Sequence, residues 1–164
     1  MPITVRQLVA ADAAAFRALR LLGLEESPEA FGSSYGSEKD RSVESFARSI
    51  ADGHITGGFA GDRLVAVAGF YVMAQEKAAH RGAVWGVYVH PEARGQGAAT
   101  AVLEAVIAHA RTRVLQLHLS VTTTGPAVRL YQKLGFVVYG TEPRALCIDG
   151  RYFDEHLMVL RLDA

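Results

Sequence analysis

Residues 83–111 read AVWGVYVHPEARGQGAATAVLEAVIAHAR, and the fold turns on their reading. The run 83–89 is apolar and rich in β-branched residues, as a buried strand is, and it stops at His90-Pro91. Small and polar residues follow: Glu92-Ala93-Arg94-Gly95-Gln96-Gly97. Apolar or small residues then recur at Ala99, Val102, Leu103, Val106, Ile107 and Ala110, the spacing of one helix stripe. The stretch is a strand, a glycine-containing turn and a helix.

Such a unit can hold an anion. The first backbone N–H groups of a helix have no partner within it, and the helix dipole adds partial positive charge at that end. Glycines let the backbone approach a phosphate with no Cβ in the way, and Arg94 adds a planar set of charged donors. A Gly-x-Gly turn is also common as a bare turn, so spacing alone leaves both readings open. The turn lacks the Gly-Lys-Ser/Thr ending of a phosphate-binding Walker loop. It also lacks the third small residue and the acidic strand end of a dinucleotide fingerprint.

On the N-terminal side, residues 3–8 alternate as a strand and Asp12 is placed to cap a helix to about residue 24, with Ala15, Leu19 and Leu22 as its stripe. Residues 25–36 have no clear period and read as a long loop or short helices. Ser42 is placed to cap a second helix to about residue 51, with Phe46 and Ile50 one turn apart. Residues 55–60 and 64–72 read as a hairpin joined by Gly61-Asp62-Arg63.

On the C-terminal side, Leu115, Leu117, Leu119 and Val121 alternate with polar residues as a strand. Gly125-Pro126 opens a helix striped by Ala127, Leu130, Tyr131 and Leu134, and Gly135 ends it. Residues 136–141 and 156–162 read as the last strands, with Asp149-Gly150 as a tight turn. The order β-α-α-β-β-β-α-β-α-β-β predicts an α/β mixed sheet with helices on both faces.

A chain of 164 residues, half of them apolar, predicts one globular domain over 1–164. Seventeen basic residues balance seventeen acidic ones, so nothing in the charge suggests nucleic acid or an anionic membrane as partner. No apolar leader opens the sequence, and the longest apolar run, 64–74, is too short to span a bilayer, which predicts a cytoplasmic protein. The one cysteine, Cys147, cannot close an intrachain disulfide; the run 145–148 around it reads as core or strand, where a buried structural cysteine is expected. Six scattered histidines show no ligand spacing, so no metal is expected.

The run Val87-Tyr88-Val89-His90-Pro91-Glu92-Ala93-Arg94-Gly95-Gln96-Gly97-Ala98-Ala99 resembles the acetyl-CoA-binding motif of the GCN5-related N-acetyltransferase (GNAT) superfamily. That motif is Arg/Gln-x-x-Gly-x-Gly/Ala, here Arg94, Gly97 and Ala99. A second family motif is matched by residues 127–136, AVRLYQKLGF, and with the flanking elements the resemblance covers nearly the whole chain. The resemblance implies a central mixed sheet of about seven strands flanked by about four helices, with strands four and five splayed to admit the cofactor. It implies an acetyl-CoA-dependent N-acetyltransferase moving an acetyl group to a primary amine of a small molecule or peptide by direct transfer in a ternary complex. The alternative is a catalytically silent CoA-sensing module on the same fold. Dimerisation through the last strands is common in the family.

The same resemblance implies site roles. The backbone of Val87, Tyr88 and Val89 faces the thioester carbonyl, and the loop Arg94, Gly95, Gln96, Gly97, Ala98 and Ala99 holds the pyrophosphate. Tyr131 stands where the family tyrosine donates to the CoA sulfur, although its place on the apolar stripe also fits simple packing. Thr124 replaces the asparagine that often precedes that tyrosine by seven residues and contacts the cofactor. Many relatives carry a glutamate base in strand four, and residues 83–89 contain no carboxylate. Glu25, Glu26, Glu29, Glu155, His90, His118 and a water chain all stay open for that task. The acceptor is expected near the loop 25–36 and the region 141–156. There Glu25, Glu26 and Glu29 could attract an amine, Arg144 and Arg151 a carboxylate, and Phe31, Tyr35, Tyr152 and Phe153 could form an apolar wall.

Overall fold

A computed structural model describes residues 2–164. Seven strands form one sheet: Ile3–Gln7 (β1), His54–Ala60 (β2), Arg63–Val72 (β3), Arg81–Val89 (β4), Gln116–Thr122 (β5), Val137–Ile148 (β6) and Arg151–Arg161 (β7). Their order across it is β1-β2-β3-β4-β5-β7-β6, and every neighbouring pair is antiparallel except β4–β5. The helices are Ala13–Glu26 (α1), the single turn Tyr35–Glu38 (α2), Val43–Asp52 (α3), Ala98–Ala110 (α4) and Ala127–Lys133 (α5). The mixed α/β class holds, and the predicted order of elements holds with the single-turn α2 added between α1 and α3, making five helices among the described residues where about four were expected.

Alternation along the strands, reversed on β3 by the register shift between Leu64 and Ala66, sends their side chains to two separate cores. On one face Ala66, Ala68 and Phe70 of β3 pack with Val102, Leu103 and Val106 of α4 and with Tyr131 of α5. On the other, Leu64 and Val67 of β3 pack with Phe16 and Leu19 of α1 and with Phe46 and Ile50 of α3. Ser42 caps α3 as expected, its hydroxyl accepting from the Ser45 N–H at 3.1 Å.

Four local expectations are corrected. The buried stripe of α1 is Ala13, Phe16, Leu19, Arg20, Gly23 and Leu24, while Ala15 is exposed and Leu22 only half-buried. The stripe was hidden because one of its members is an arginine. Asp12 does not cap α1 with its side chain; its carboxylate takes Arg6 and the Val9 N–H, closing the turn before the helix. Finally, β6 and β7 are much longer than the segments 136–141 and 156–162. Asp149 (φ +50°) and Gly150 (φ +78°) make the two-residue turn that lets the hairpin run on. Because β6 lies at the sheet edge and is wet on most of its length, it carries no clean alternation to read. Cys147 lies on this edge strand and is exposed, not buried as expected.

One break in the sheet positions the site. β4 and β5 pair over only three residue pairs, Arg81–Ala83 with Gln116–His118, and then part. Opposite Ala68 the register slips, so that Gly86 and Val87 of β4 share one partner position, with Gly86 at φ +64°. This is a β-bulge; a left-handed residue turns the strand away from its neighbour, and glycine does so without a Cβ penalty.

Candidate active site

The glycine loop has a backbone geometry that can accommodate an anion. Gly95 and Gly97 have φ of +75° and +80°, and a Cβ on either would meet nothing within 4 Å. A hollow of about 210 Å³ follows this backbone, lined by Val89, Arg94, Gly95, Gly97, Ala98 and Ala99 among others. The first helical bond of α4 is made by the Ala101 N–H onto the Gly97 carbonyl at 3.0 Å, which leaves the N–H groups of Ala98, Ala99 and Thr100 with no partner inside the helix. Gln96 stays exposed and its amide donates to the Glu92 carbonyl at 3.3 Å, so it shapes the loop. His90 does the same from the other end: its Nδ1 accepts from the Glu92 N–H at 3.1 Å.

Arg94 is tied across the loop. Its guanidinium donates to both carboxylate oxygens of Glu26 at 3.1 and 2.9 Å, and its Nε donates to the Val89 carbonyl at 3.2 Å. The Tyr88 hydroxyl donates to the same carboxylate at 2.8 Å and the Ser27 hydroxyl at 2.6 Å. Hydrogen bonds from Arg94, then Ser27 and Tyr88, hold the Glu26 carboxyl down at about 2. Burial, with Glu26 beside it, pushes the Tyr88 phenol up to about 12. The Tyr88 ring therefore faces α1 and the second core, where it meets Phe31 at 6.0 Å between centroids.

Beyond the loop, the gap between β4 and β5 is a cleft of about 620 Å³. Val87, Tyr88, Val89, Arg94 and Ala99 line it from one side, and Tyr131 lines it from α5. Past Ala83 the cleft-facing edge of β4 has no strand partner, so its N–H and C=O groups are available there. Tyr131 is buried, edge-on to Phe136 at 5.8 Å, and desolvation pushes its phenol up to about 12. Thr124 is not brought into the cleft: it is exposed in the turn after β5, and Thr122 and Gly125 line the wall instead.

A second cavity of about 590 Å³ opens on the other side of the split, between β4 and β5 and the segment after α1. Phe31 and Trp85 form apolar wall, while Arg20, Arg81 and His118 bring polar atoms. Of the expected acceptor residues only Phe31 lies here. Glu29 lines the first cleft, and Glu25 is exposed and lines neither. Arg144, Arg151, Tyr152 and Phe153 lie outside both, toward the turn end of the long β6–β7 hairpin, and Tyr35 lies outside both at the start of α2.

Sequence reading missed Arg20. It is buried and donates to both oxygens of Glu38 at 3.1 and 2.9 Å, with its guanidinium between Phe31 and Trp85 at 5.2 and 5.4 Å from their ring centres. Burial alone would raise the Glu38 carboxyl, but hydrogen bonding and charge from Arg20, with Arg41 behind it, hold it below the ordinary carboxylate range. The available signal was a helix stripe that closes only if Arg20 is counted as an inward position.

A split sheet with this glycine loop on one side and a second cavity on the other defines an α/β protein that can bring two ligands together at one seam. Residues 21–136 match the family described as Acetyltransferase (GNAT) family, and the chain belongs to that family. An L-methionine sulfoximine/L-methionine sulfone acetyltransferase of Pseudomonas aeruginosa is 35% identical over 79 residues, a stretch covering 47% of this chain and 46% of that protein. The match thus spans about half the length of this curated relative. Solved structures agree over nearly the full chain. The protein yncA of Salmonella typhimurium, solved with its cofactor acetyl-CoA, has a TM-score of 0.85 at 22% identity, covering 100% of this chain and 96% of its own. A ribosomal-protein-alanine N-acetyltransferase from Brucella melitensis has a TM-score of 0.82 at 22% identity, covering 96% and 99%. At such identities the likeness is one of fold.

Proposed function

We propose that this protein is an acetyl-CoA-dependent N-acetyltransferase that moves an acetyl group directly to the primary amine of a small molecule or peptide. The observation that carries this reading is the pair of cavities on opposite sides of the β4–β5 split, which share one seam of residues. A silent CoA-sensing module has no need of the second cavity. The residues present fit the cofactor: the Gly95–Gly97 backbone is open and left-handed, three free N–H groups begin α4, and the cleft beyond is long and largely apolar. Acetyl-CoA would supply the activated acetyl group on a thioester. Ala98 and Ala99 with the glycines would hold the pyrophosphate, with Arg94 beside them.

The cleft-facing N–H groups of β4 around residues 87–89 would polarise the carbonyl. Tyr131 would donate a hydrogen bond to the departing sulfur. Burial keeps its phenol protonated across the neutral range, as that role requires. The acceptor cavity favours a small amine with an apolar portion to set against Phe31 and Trp85. The methionine-derived substrate of the Pseudomonas relative is of that class.

We read residues 1–164 as one domain, supported by a single sheet that incorporates both β1 and β7. Homodimerisation through β6 is supported by its exposed Val137, Val138 and Tyr139. A cytoplasmic location is supported by the reading of the sequence, and no helix among the described residues is long and apolar enough to cross a membrane.

Thermal unfolding with acetyl-CoA, and with ATP and NAD as controls, tests the cofactor assignment. A ligand at about a hundred times its dissociation constant adds about 2.7 kcal/mol, enough to raise the midpoint by several degrees. A rise with acetyl-CoA alone is expected; a rise with ATP or NAD instead would overturn it.

A further inference from the structure

Transfer requires an ammonium group to lose a proton before its nitrogen can attack, because an alkylamine of pKa about 10.4 is almost wholly protonated near neutrality. The proton acceptor must therefore lie where the amine and the thioester meet. Resting on the acetyltransferase reading, that place is the seam common to both cavities. Seven residues line both: Ala30, Val84, Trp85, Gly86, Leu119, Ser120 and Glu155. Glu155 is the only one of them with a carboxylate or any other proton-accepting group that ionises in the working pH range of proteins. We propose that Glu155, on β7 opposite Thr122 of β5, is the base that accepts the proton of the acceptor amine.

The other candidates are committed elsewhere. Glu25 lines neither cavity, and Glu26 is bound by Arg94, Tyr88 and Ser27. Glu29 lines the cofactor cleft alone. His90 is hydrogen-bonded into the glycine loop. His118 lines the acceptor cavity, but its ring nitrogens sit 2.8 Å from the Gln116 amide and 3.3 Å from the Tyr139 hydroxyl.

Burial, and then the charge of Glu142 paired across from it on β6, pushes the Glu155 carboxyl above the ordinary range and makes it a stronger base than a surface glutamate. The other charged or titratable side chains lining these cavities are Arg20 and Arg81, Glu29, Tyr71 of β3, His118, and Tyr131 with Tyr139, together with the tied group Glu26, Tyr88 and Arg94. The charge that raises the Glu155 carboxyl beyond the effect of burial is that of Glu142.

The proton balance closes. The reaction forms one C–N bond and breaks one C–S bond. Of the two protons the ammonium nitrogen gives up, Glu155 accepts the first and passes it to water, and the second ends on the thiolate, on the side where Tyr131 stands.

The test follows thiol release from acetyl-CoA with a panel of α-amino acids, L-methionine sulfone, alkylamines and short peptides. With the best amine at saturation, Glu155→Gln is expected to lower kcat by about 10²–10⁴-fold and to abolish the acid limb of its pH profile. Acetyl-CoA affinity should stay within about twofold, since Glu155 lies away from the glycine loop. Glu142→Gln, at an exposed strand position, should shift the acid limb of kcat to lower pH by removing a neighbouring negative charge. A purely structural Glu155 would produce neither pH effect. Turnover by the wild type with kcat and acid limb unchanged in Glu155→Gln, or an unmoved limb in Glu142→Gln, overturns the role of Glu155 alone. No amine-dependent thiol release by the wild type across the whole panel overturns the acetyltransferase reading and the base with it.

Discussion

Arg20 meets Glu38 and Arg94 meets Glu26 through the same two-pronged contact, with nitrogen–oxygen distances of 3.1 and 2.9 Å in each. Their surroundings differ. The side chains of the first pair are 10% and 8% exposed; those of the second are 47% and 34% exposed. In the interior, the contact is the main thing that offsets the desolvation of two charges, with Arg41 adding a 3.2 Å bond to the Glu38 carboxylate, so the pair holds α2 against α1 as a permanent part of the fold. At the cleft mouth water can replace either partner, and the contact is worth little. Hydrogen-bond geometry alone therefore says nothing about function. The buried pair braces the wall of the second cavity, whereas the exposed pair holds the Arg94 guanidinium beside the glycine loop with an exchangeable carboxylate.

The sharpest way to break this comparison is to remove one partner of the buried pair. Glu38→Ala leaves Arg20 buried without its carboxylate and is expected to cost about 3–5 kcal/mol of unfolding free energy, read by denaturant titration. A loss below about 1 kcal/mol would place the pair with the exposed class.

Acid titration sharpens it next. Glu38 is held below the ordinary carboxylate range, so its contribution is present above the unfolded value of 4.5 and is lost as pH falls through the lower folded value. The wild-type chain should lose stability steeply below about pH 4.5. Glu38→Gln should start less stable and show a shallower acid limb. Parallel limbs in the two proteins would show that Glu38 is not the linked group.

The smallest effect belongs to the exposed pair. Glu26→Gln should change stability by no more than about 1 kcal/mol. It should tighten acetyl-CoA several-fold, because the carboxylate no longer competes with a pyrophosphate for Arg94; calorimetric titration reads this directly. Weaker binding would mean instead that Glu26 positions Arg94 for the cofactor.

Much of the molecule was legible in the chain. The strand–glycine loop–helix at 83–111, the positive-φ turns at Gly95, Gly97 and Gly150, the Ser42 cap and the element order all rest on interactions within a few residues, and local pattern encodes those. The misread parts share a cause. Arg20 broke the α1 stripe because its partner Glu38 is 18 residues away, and the edge strand β6 carried no alternation because little of it is buried. Arg94 and its glycine loop were visible in the sequence, but Glu26, 68 residues earlier, was not visible as its partner. Nor could any spacing bring Glu155 to the seam. That meeting depends on β7 being inserted between β5 and β6, a choice made by sheet pairing and the two packed faces. Sequence by itself determined the glycine turns, the Ser42 cap and the face of α4, whose energies are local. Only the tertiary structure decided which charges meet, because the burial that makes such a meeting matter exists only once distant strands have closed around it.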